Sequence, residues 1–323
     1  MDARPPAIAE HTLDPSLPAD EAVRRLARAL VADMSRTLAA FDSMPATAAH
    51  ETRKGIKALR ALLRLADPGC ERLREVDAQL RESAALLAGA REARVLAQTL
   101  ADLTHRAPGK AEAPLARLCR WAEECAAAAE VEAVGHRRVA KVVETLDELA
   151  GSVADWPVPD AWRQLLKGAK HTVRKTRRGL AKGLASGDAE ELHAARRWVV
   201  RHRYHLGFLA AAGRLTATRR KRMQDLRDLL GRHHDLHEAR RAIAGADLID
   251  AAQFAVIDKI IGKEQRRLEK RIARAADRLF DGDTRRLGQA LKATFGGEAR
   301  PAISPPAPSK PAAPTPPAIP GQR

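Results

Sequence analysis

Apolar residues recur at steps of three and four along almost the whole chain, which leaves little room for anything but stacked amphipathic helices. Leu26, Leu30, Met34, Leu38 and Phe41 set the pattern. It continues until the proline-rich stretch 301–323, which holds 9 of the 19 prolines. Aromatic residues are only 3% of the 323, too few to favour sheets. The spacing predicts an all-α fold. Its helices cover about 19–42, 46–66, 70–105, 114–150, 160–186, 188–212, 214–244 and 248–282, with a short ninth at 284–295. Gly187-Asp188 reads as a helix stop followed by an N-cap. Residues 1–18 and 298–323 lack the pattern. They are expected to be a flexible arm and a disordered Pro/Ala-rich tail.

Trp156-Pro157-Val158-Pro159 separates four of these helices from the next four. A shift of 143 residues aligns the two sets: His50 with His193, Arg53 with Arg196, Lys54 with Arg197 and Arg60 with Arg203. Arg24 falls on Lys167 and Arg28 on His171. Leucine matches between such helices are common by chance, whereas a His-x-x-Arg pair with a second arginine seven residues later is more specific. The expected architecture is two four-helix bundles, 19–155 and 160–297. They are related by internal duplication with pseudo-two-fold symmetry, and a basic groove lies between or along them.

The formal net charge is +16, which draws such a chain to polyanions without saying which. The cations are also ordered. Arg53, Lys57, Arg60 and Arg64 follow steps of four, three and four, with His50 one turn earlier. His193, Arg196 and Arg203 repeat the stripe with Val200 in place of Lys57, and Arg197 and Arg201 run beside it. Arg163, Lys167, Lys170, Arg174 and Arg178 form a longer ladder, flanked by His171, Lys175 and Lys182. No acidic residue lies between Arg163 and Lys182, and Leu166, Ala169, Val173, Thr176 and Leu180 form the face expected to pack. A solvated helix face normally interleaves Glu with Lys or Arg, because such pairs add a few tenths of a kcal/mol. Stacked like charges cost about as much. Their recurrence in both halves points to an external anion. The acids cluster elsewhere, at Glu123, Glu124, Glu144, Asp147 and Glu148.

Other chemistry finds little support. His233 and His237 are spaced to share a metal on one helix face, with Asp235 the third ligand on offer, but no His-Glu-x-x-His motif accompanies them and the signal is weak. His233, His234, His202 and His205 read instead as packing or groove-lining groups, and no metal or cofactor is expected. Cys70, Cys119 and Cys125 are scattered, in keeping with reduced thiols. There is no phosphate-cradling glycine loop, no carboxylate pair in an apolar run and no nucleophile with its base, so no enzyme is expected. No apolar run reaches the roughly 18 residues of a membrane span, and Met1–Pro18 has no signal-type apolar core. The chain is therefore read as soluble and cytoplasmic.

AHETRKGIKALRALLRL (49–65) resembles the signature helix of the CHAD domain, the conserved-histidine α-helical domain. LHAARRWVVRHRYHL (192–206) resembles the same element again, and LLGRHHDLHEAR (229–240) the helix that follows it. LLAGAREARVL (86–96) is that helix's weaker counterpart. The resemblance spans about 19–297. It implies two four-helix bundles that bind inorganic polyphosphate through basic residues between the halves, at polyphosphate granules. The family's motif positions fall on His50, Arg53, Lys57 and Arg60, then His193, Arg196 and Arg203. Val200 and Thr52 depart from the pattern, as do Arg94 and His237 where an acid is frequent. Nothing resembles the Glu/Lys strand motif of the triphosphate-tunnel domain that some members carry.

The site residues expected to contact polyphosphate are these motif positions with Arg24, Arg28, Arg64, Lys167, Lys170, Arg174, Arg178, Arg197 and His234. A row of cations suits a linear polyanion, and about ten neutralised phosphates would give a log–log salt slope near −7. Weak, sequence-independent nucleic-acid binding is an alternative, though single-strand binders usually offer aromatic platforms and Tyr204 is the one clear candidate near the stripes. A phasin-like granule scaffold is another.

Overall fold

The structure, a computed structural model, describes residues 11–66, 70–88, 91–105, 109–131, 135–280 and 283–296. Among them are eleven α-helices and no strand. In chain order they are α1 (Ala19–Ala39), α2 (Pro45–Ala66), α3 (Glu71–Leu86), α4 (Arg91–Thr104), α5 (Glu112–Val131) and α6 (His136–Ser152). After the Trp-Pro-Val-Pro joint come α7 (Trp162–Ser186), α8 (Ala189–Phe208), α9 (Arg214–Gly245), α10 (Ala251–Phe280) and α11 (Asp283–Phe295). None is long and apolar enough to cross a membrane.

Two long helices expected from the periodicity are each divided. The segment 70–105 breaks between α3 and α4, and 114–150 breaks between α5 and α6. Leu87 caps α3, and Gly135, in extended backbone, caps the start of α6. An apolar 3.6-residue rhythm persists across such breaks, so periodicity alone does not reveal them. The helix starts at 19, 45 and 71 recur at 162, 189 and 214.

α1 packs on α2 and α6, and α3 packs on the same two helices. In the second half α7, α8, α9 and α10 close a similar ring, while the α4–α5 hairpin leans on α9. α2 also meets α7 and α8, so its small residues Gly55, Ala58 and Ala61 are buried along with Ile56, Leu59, Leu62 and Leu63. The buried apolar residues form one cluster running from Leu13 to Phe295, so the halves share a core.

Gly187 ends α7 with φ +67°, the left-handed geometry glycine tolerates, and its N–H bonds the Gly183 carbonyl at 3.1 Å. Asp188 then accepts the Glu190 N–H at 2.9 Å, as an N-cap. The packing face of α7 is rotated from the expected one. Trp162, Leu165, Gly168, Ala169, Thr172, Thr176 and Leu180 are buried, and Leu166 and Val173 only partly so. Residues 11–18, expected within a flexible arm, are docked. The Leu13 N–H bonds the Phe208 carbonyl at 2.8 Å, Leu13 is buried, and Trp162 Nε1 donates to the Leu17 carbonyl at 3.1 Å. The buried leucine and these bonds outweigh the loose local sequence. Residues 1–10 and the expected tail lie outside the described residues.

α7 passes so close to α2 that a Cβ on Gly168 would sit 2.3 Å from the Leu65 carbonyl oxygen. Gly168→Ala must push the helices apart and is expected to cost about 2 kcal/mol or more. Gly151 of α6 has nothing within 4 Å of its missing Cβ, so Gly151→Ala should be neutral or stabilising by about 0.5–1 kcal/mol. Urea midpoints of the two variants check this, and equal midpoints would mean that α7 is not held against α2.

Candidate polyanion site

Asp77 of α3 is the pivot of the basic region. Arg60 grips it with both arms of its guanidinium, Nε to Oδ1 at 2.8 Å and Nη2 to Oδ2 at 3.3 Å. Arg64, one turn on, donates Nη2 to Oδ2 at 2.8 Å. Burial alone would raise the Asp77 carboxyl, but these bonds and the two positive charges hold it below its ordinary value. On the α8 side stand Arg197 and Arg201. The Arg201 guanidinium is pushed down to about 10, first by burial and then by Arg64, Arg60 and Arg197, with Asp77 opposing. Two guanidiniums therefore bond one carboxylate, and a third, Arg201, is pressed by both of them and by Arg197 where two helices meet.

The basic surface continues onto α7. Arg201 lies over the Trp198 ring at 4.6 Å, and His171 meets the same indole edge-on with centroids 6.0 Å apart. Arg174 Nη2 donates to His171 Nδ1 at 3.2 Å. Burial, then Arg174 and Lys175, lower the affinity of His171 for a proton. Beside it a cleft of about 470 Å³ opens between the end of α2 and α7, lined by Lys167, Lys170, His171 and Arg174. Lys167, Lys170, Arg174 and Arg178 are all exposed, as the ladder requires.

At the start of α8, the rings of His193 and His234 pack with centroids 3.9 Å apart and planes tilted by 31°. Burial lowers both, and Arg196 adds to it in each case. His193 also feels His234 and Arg197, and Glu190 partly opposes the shift. A Cβ on the buried Gly231 would lie 3.6 Å from Arg196 Nη2, so the guanidinium passes close over the α9 backbone. His233 and His237 do not share a site, because His233 is buried 3.2 Å from Glu269 while His237 turns to Glu190 at 3.5 Å. Glu190, His237 and Glu238 keep their ligand atoms within 4.8 Å of one another.

Several expected site residues have other tasks. Arg24 holds the joint, paired with Asp20 at 2.6 Å and donating to the Trp156 carbonyl at 3.2 Å. Arg53 is half-buried and donates to the Leu87 carbonyl at 3.3 Å. Arg203 lies over the Tyr204 ring at 4.8 Å. Tyr204 is not an open stacking platform, since it is mostly covered and donates its hydroxyl to the Lys54 carbonyl at 3.3 Å. Lys57 and Arg28 are exposed and His50 half-buried. Arg201 and Asp77 have no like-charged counterpart 143 residues away, where Ala58 and Arg220 stand. The one local signal was the Arg197–Arg201 spacing of four.

The CHAD domain family model matches residues 21–244. The chain belongs to the CHAD family. Two solved structures resemble this CHAD protein. PptA from Streptomyces chartreusis superposes with a TM-score of 0.59 at 20% identity, covering 81% of this chain and 99% of that one. The CHAD domain from the plant Ricinus communis gives 0.51 at 18% identity, covering 92% and 98%. At such identities the likeness is one of fold. No curated protein sequence matches the chain.

Two buried histidines of α8 stand directly behind the site. His205 Nε2 donates to the Ala61 carbonyl at 2.8 Å, and its pKa is lowered to about 4, by burial first, with Arg201 adding and the Ala61 bond opposing. His202 lies well below its ordinary value through burial, Arg219 and His205. Both imidazoles fold neutral, so the unfolded chain binds more protons below the ordinary histidine pKa of about 6.5. Stability is expected to be level above that pH and to fall as pH drops from about 6.5 toward 4, with His205 alone contributing about 3 kcal/mol. Denaturation midpoints at pH 7.5 and 5 measure this. Unchanged midpoints would contradict neutral burial.

Proposed function

We propose that this CHAD protein binds inorganic polyphosphate in a sequence-blind, non-catalytic way. The binding surface is the face of α7, α2 and α8 around Asp77. The observation that carries the reading is that Arg60 and Arg64 share the single carboxylate of Asp77 while Arg201 is pressed by both and by Arg197, with the exposed Lys167, Lys170, Arg174 and Arg178 extending the same charge. A row of phosphates relieves that repulsion at every step, and forked guanidinium donors match phosphate oxygens. Family membership supports the choice of polymer, since CHAD domains are linked to polyphosphate. Recruitment to polyphosphate granules follows from the same affinity.

We also read the chain as an internal duplication, on the recurrence of helix starts and of His-x-x-Arg. The halves serve the site unequally. The first supplies Arg60, Arg64 and Asp77, and the second supplies Arg197, Arg201 and the α7 ladder. Nucleic acid is the weaker fit, because Arg201 covers a face of Trp198 and Tyr204 is mostly covered.

Calorimetric titration with long-chain polyphosphate, against single-stranded DNA at matched charge and salt, tests this reading. Arg174→Gln, Arg197→Gln and Arg201→Gln together leave the Arg60–Asp77–Arg64 bonds in place. They should weaken polyphosphate binding at least ten-fold and flatten the log–log salt slope by about 2. With three repelling charges gone, the free variant should melt no lower than the parent, and a rise of a few degrees would correspond to about 1 kcal/mol. Equal affinity for the two polymers, or an unaltered slope in the variant, would reduce the face to a generic basic surface.

Histidine gives a second handle. His171, His193 and His234 are lowered in the free protein, and a bound phosphate chain raises them again. Binding therefore takes up protons and should tighten as pH falls from 8 to 6. Identical affinities at both ends would remove these histidines from the site.

A further inference from the structure

Ordered positive charge is not confined to the Asp77 face. On α10, Lys259, Lys263, Arg266, Lys270 and Arg274 follow steps of four, three, four and four, which sets them along one face of the helix. All five are exposed, and so are Arg267 and Arg271 beside them. At roughly 1.5 Å per residue the ladder runs about 22 Å. Against its seven cations the same stretch of α10 sets two carboxylates, Glu264 and Glu269, both partly buried.

The acids around the ladder are already engaged. Glu264 pairs with Arg267 at 3.8 Å, Glu269 with His233 at 3.2 Å, and Asp258 accepts from Arg240 at 3.0 Å. Across the neighbouring cleft Asp102 accepts from Gln98 at 3.2 Å, and Asp235 also has a partner. Asp277, beyond Arg274, is an exposed acid at the far end. Lys263, Arg266 and Lys270, in the middle of the ladder, make no ion pair among the described residues.

This ladder opens on a different side of the molecule from the Asp77 face. In the ring of α7, α8, α9 and α10, α2 lies against α7 and α8, whereas α4 lies against α9. Lys263, Arg266 and Lys270 line the cleft of about 740 Å³ between α4, α9 and α10, with Arg232 on the α9 wall. Lys167, Lys170 and Arg174 line the cleft at the end of α2 instead. α9 stands between α10 and α8, which carries Arg197 and Arg201. A polyanion seated along α7 and α8 therefore leaves the α10 ladder open. A linear chain of phosphates meets a cation at every turn of that ladder, while a compact anion meets one or two. We propose that α10 is a second seat for inorganic polyphosphate and that one protein molecule thereby links two polyphosphate chains. The first seat rests on the Asp77-face reading. A protein held at both faces leaves its polymer more slowly than either contact alone allows, and it draws neighbouring chains together.

A two-step capture assay tests this. Immobilised long-chain polyphosphate is loaded with the full chain, washed, and offered a second, fluorescently labelled polyphosphate. The parent is expected to hold the first polymer and capture the second. Lys263→Gln, Arg266→Gln and Lys270→Gln together should still be retained but should capture about ten-fold less of the labelled chain. Arg137→Gln, Arg138→Gln and Lys141→Gln together remove the same charge from exposed positions of α6 and should capture as the parent does. A parent that is retained but captures no second chain would overturn the proposal and leave the Asp77 reading standing. So would an equal loss in the α6 variant, because bulk charge would then explain capture. Undiminished capture by the α10 variant would overturn it too, because the link would then lie elsewhere or between copies of the protein. A parent that is not retained on the first polymer would overturn the Asp77 reading as well.

Discussion

The hydrogen bond from His205 Nε2 to the Ala61 carbonyl is where the rest of the molecule is set. It joins α8 to α2 inside the core, and the Tyr204 hydroxyl on the Lys54 carbonyl repeats the link two turns away. A bond buried this deeply is strong and expensive to leave unmade, so it fixes the register of the two helices. Register then dictates charge. Arg201 precedes His205 by one turn and Arg64 follows Ala61 by almost one. The crossing that buries the imidazole therefore drives Arg201 against Arg64 and Arg60. The site is a by-product of the packing that holds the halves together.

That arrangement is poor for stability. One carboxylate, Asp77, organises two of the four guanidiniums, and the others are held by helix register and by the face of Trp198. The Arg201 guanidinium is pushed down first by burial and then by the like charges of Arg64, Arg60 and Arg197. Charge elsewhere is arranged in the opposite sense. Asp42, Glu144, Asp147 and Glu148 line a cleft between α1 and α6. Basic and acidic surfaces are thus set on different parts of the molecule.

Local chemistry was readable wherever it acts within a turn or two of one helix. The Gly187 stop and Asp188 cap are such cases, and so is the exposure of Lys167, Lys170, Arg174 and Arg178, which follows from their spacing alone. His193 and His234 were both among the expected site residues, but the contact between their rings joins two helices. Arg24 shows the limit. Its spacing suits a basic stripe, yet Asp20 and the Trp156 carbonyl, 132 residues away in the chain, claim its guanidinium.

By itself, the sequence determined that the chain is all helical among the described residues, that it carries the CHAD motif, and which helix faces are basic. These properties depend on periodicity and on residues close in the chain. Only the tertiary structure decided which cations converge, that His202 and His205 are buried while His237 is not, and that the α4–α5 hairpin leans on α9 to leave a cleft. Those outcomes depend on how closely helices approach and in what register. Contacts such as Gly168 against Leu65 and His205 against Ala61 set both, and they join residues about 100 or more apart that no local pattern relates.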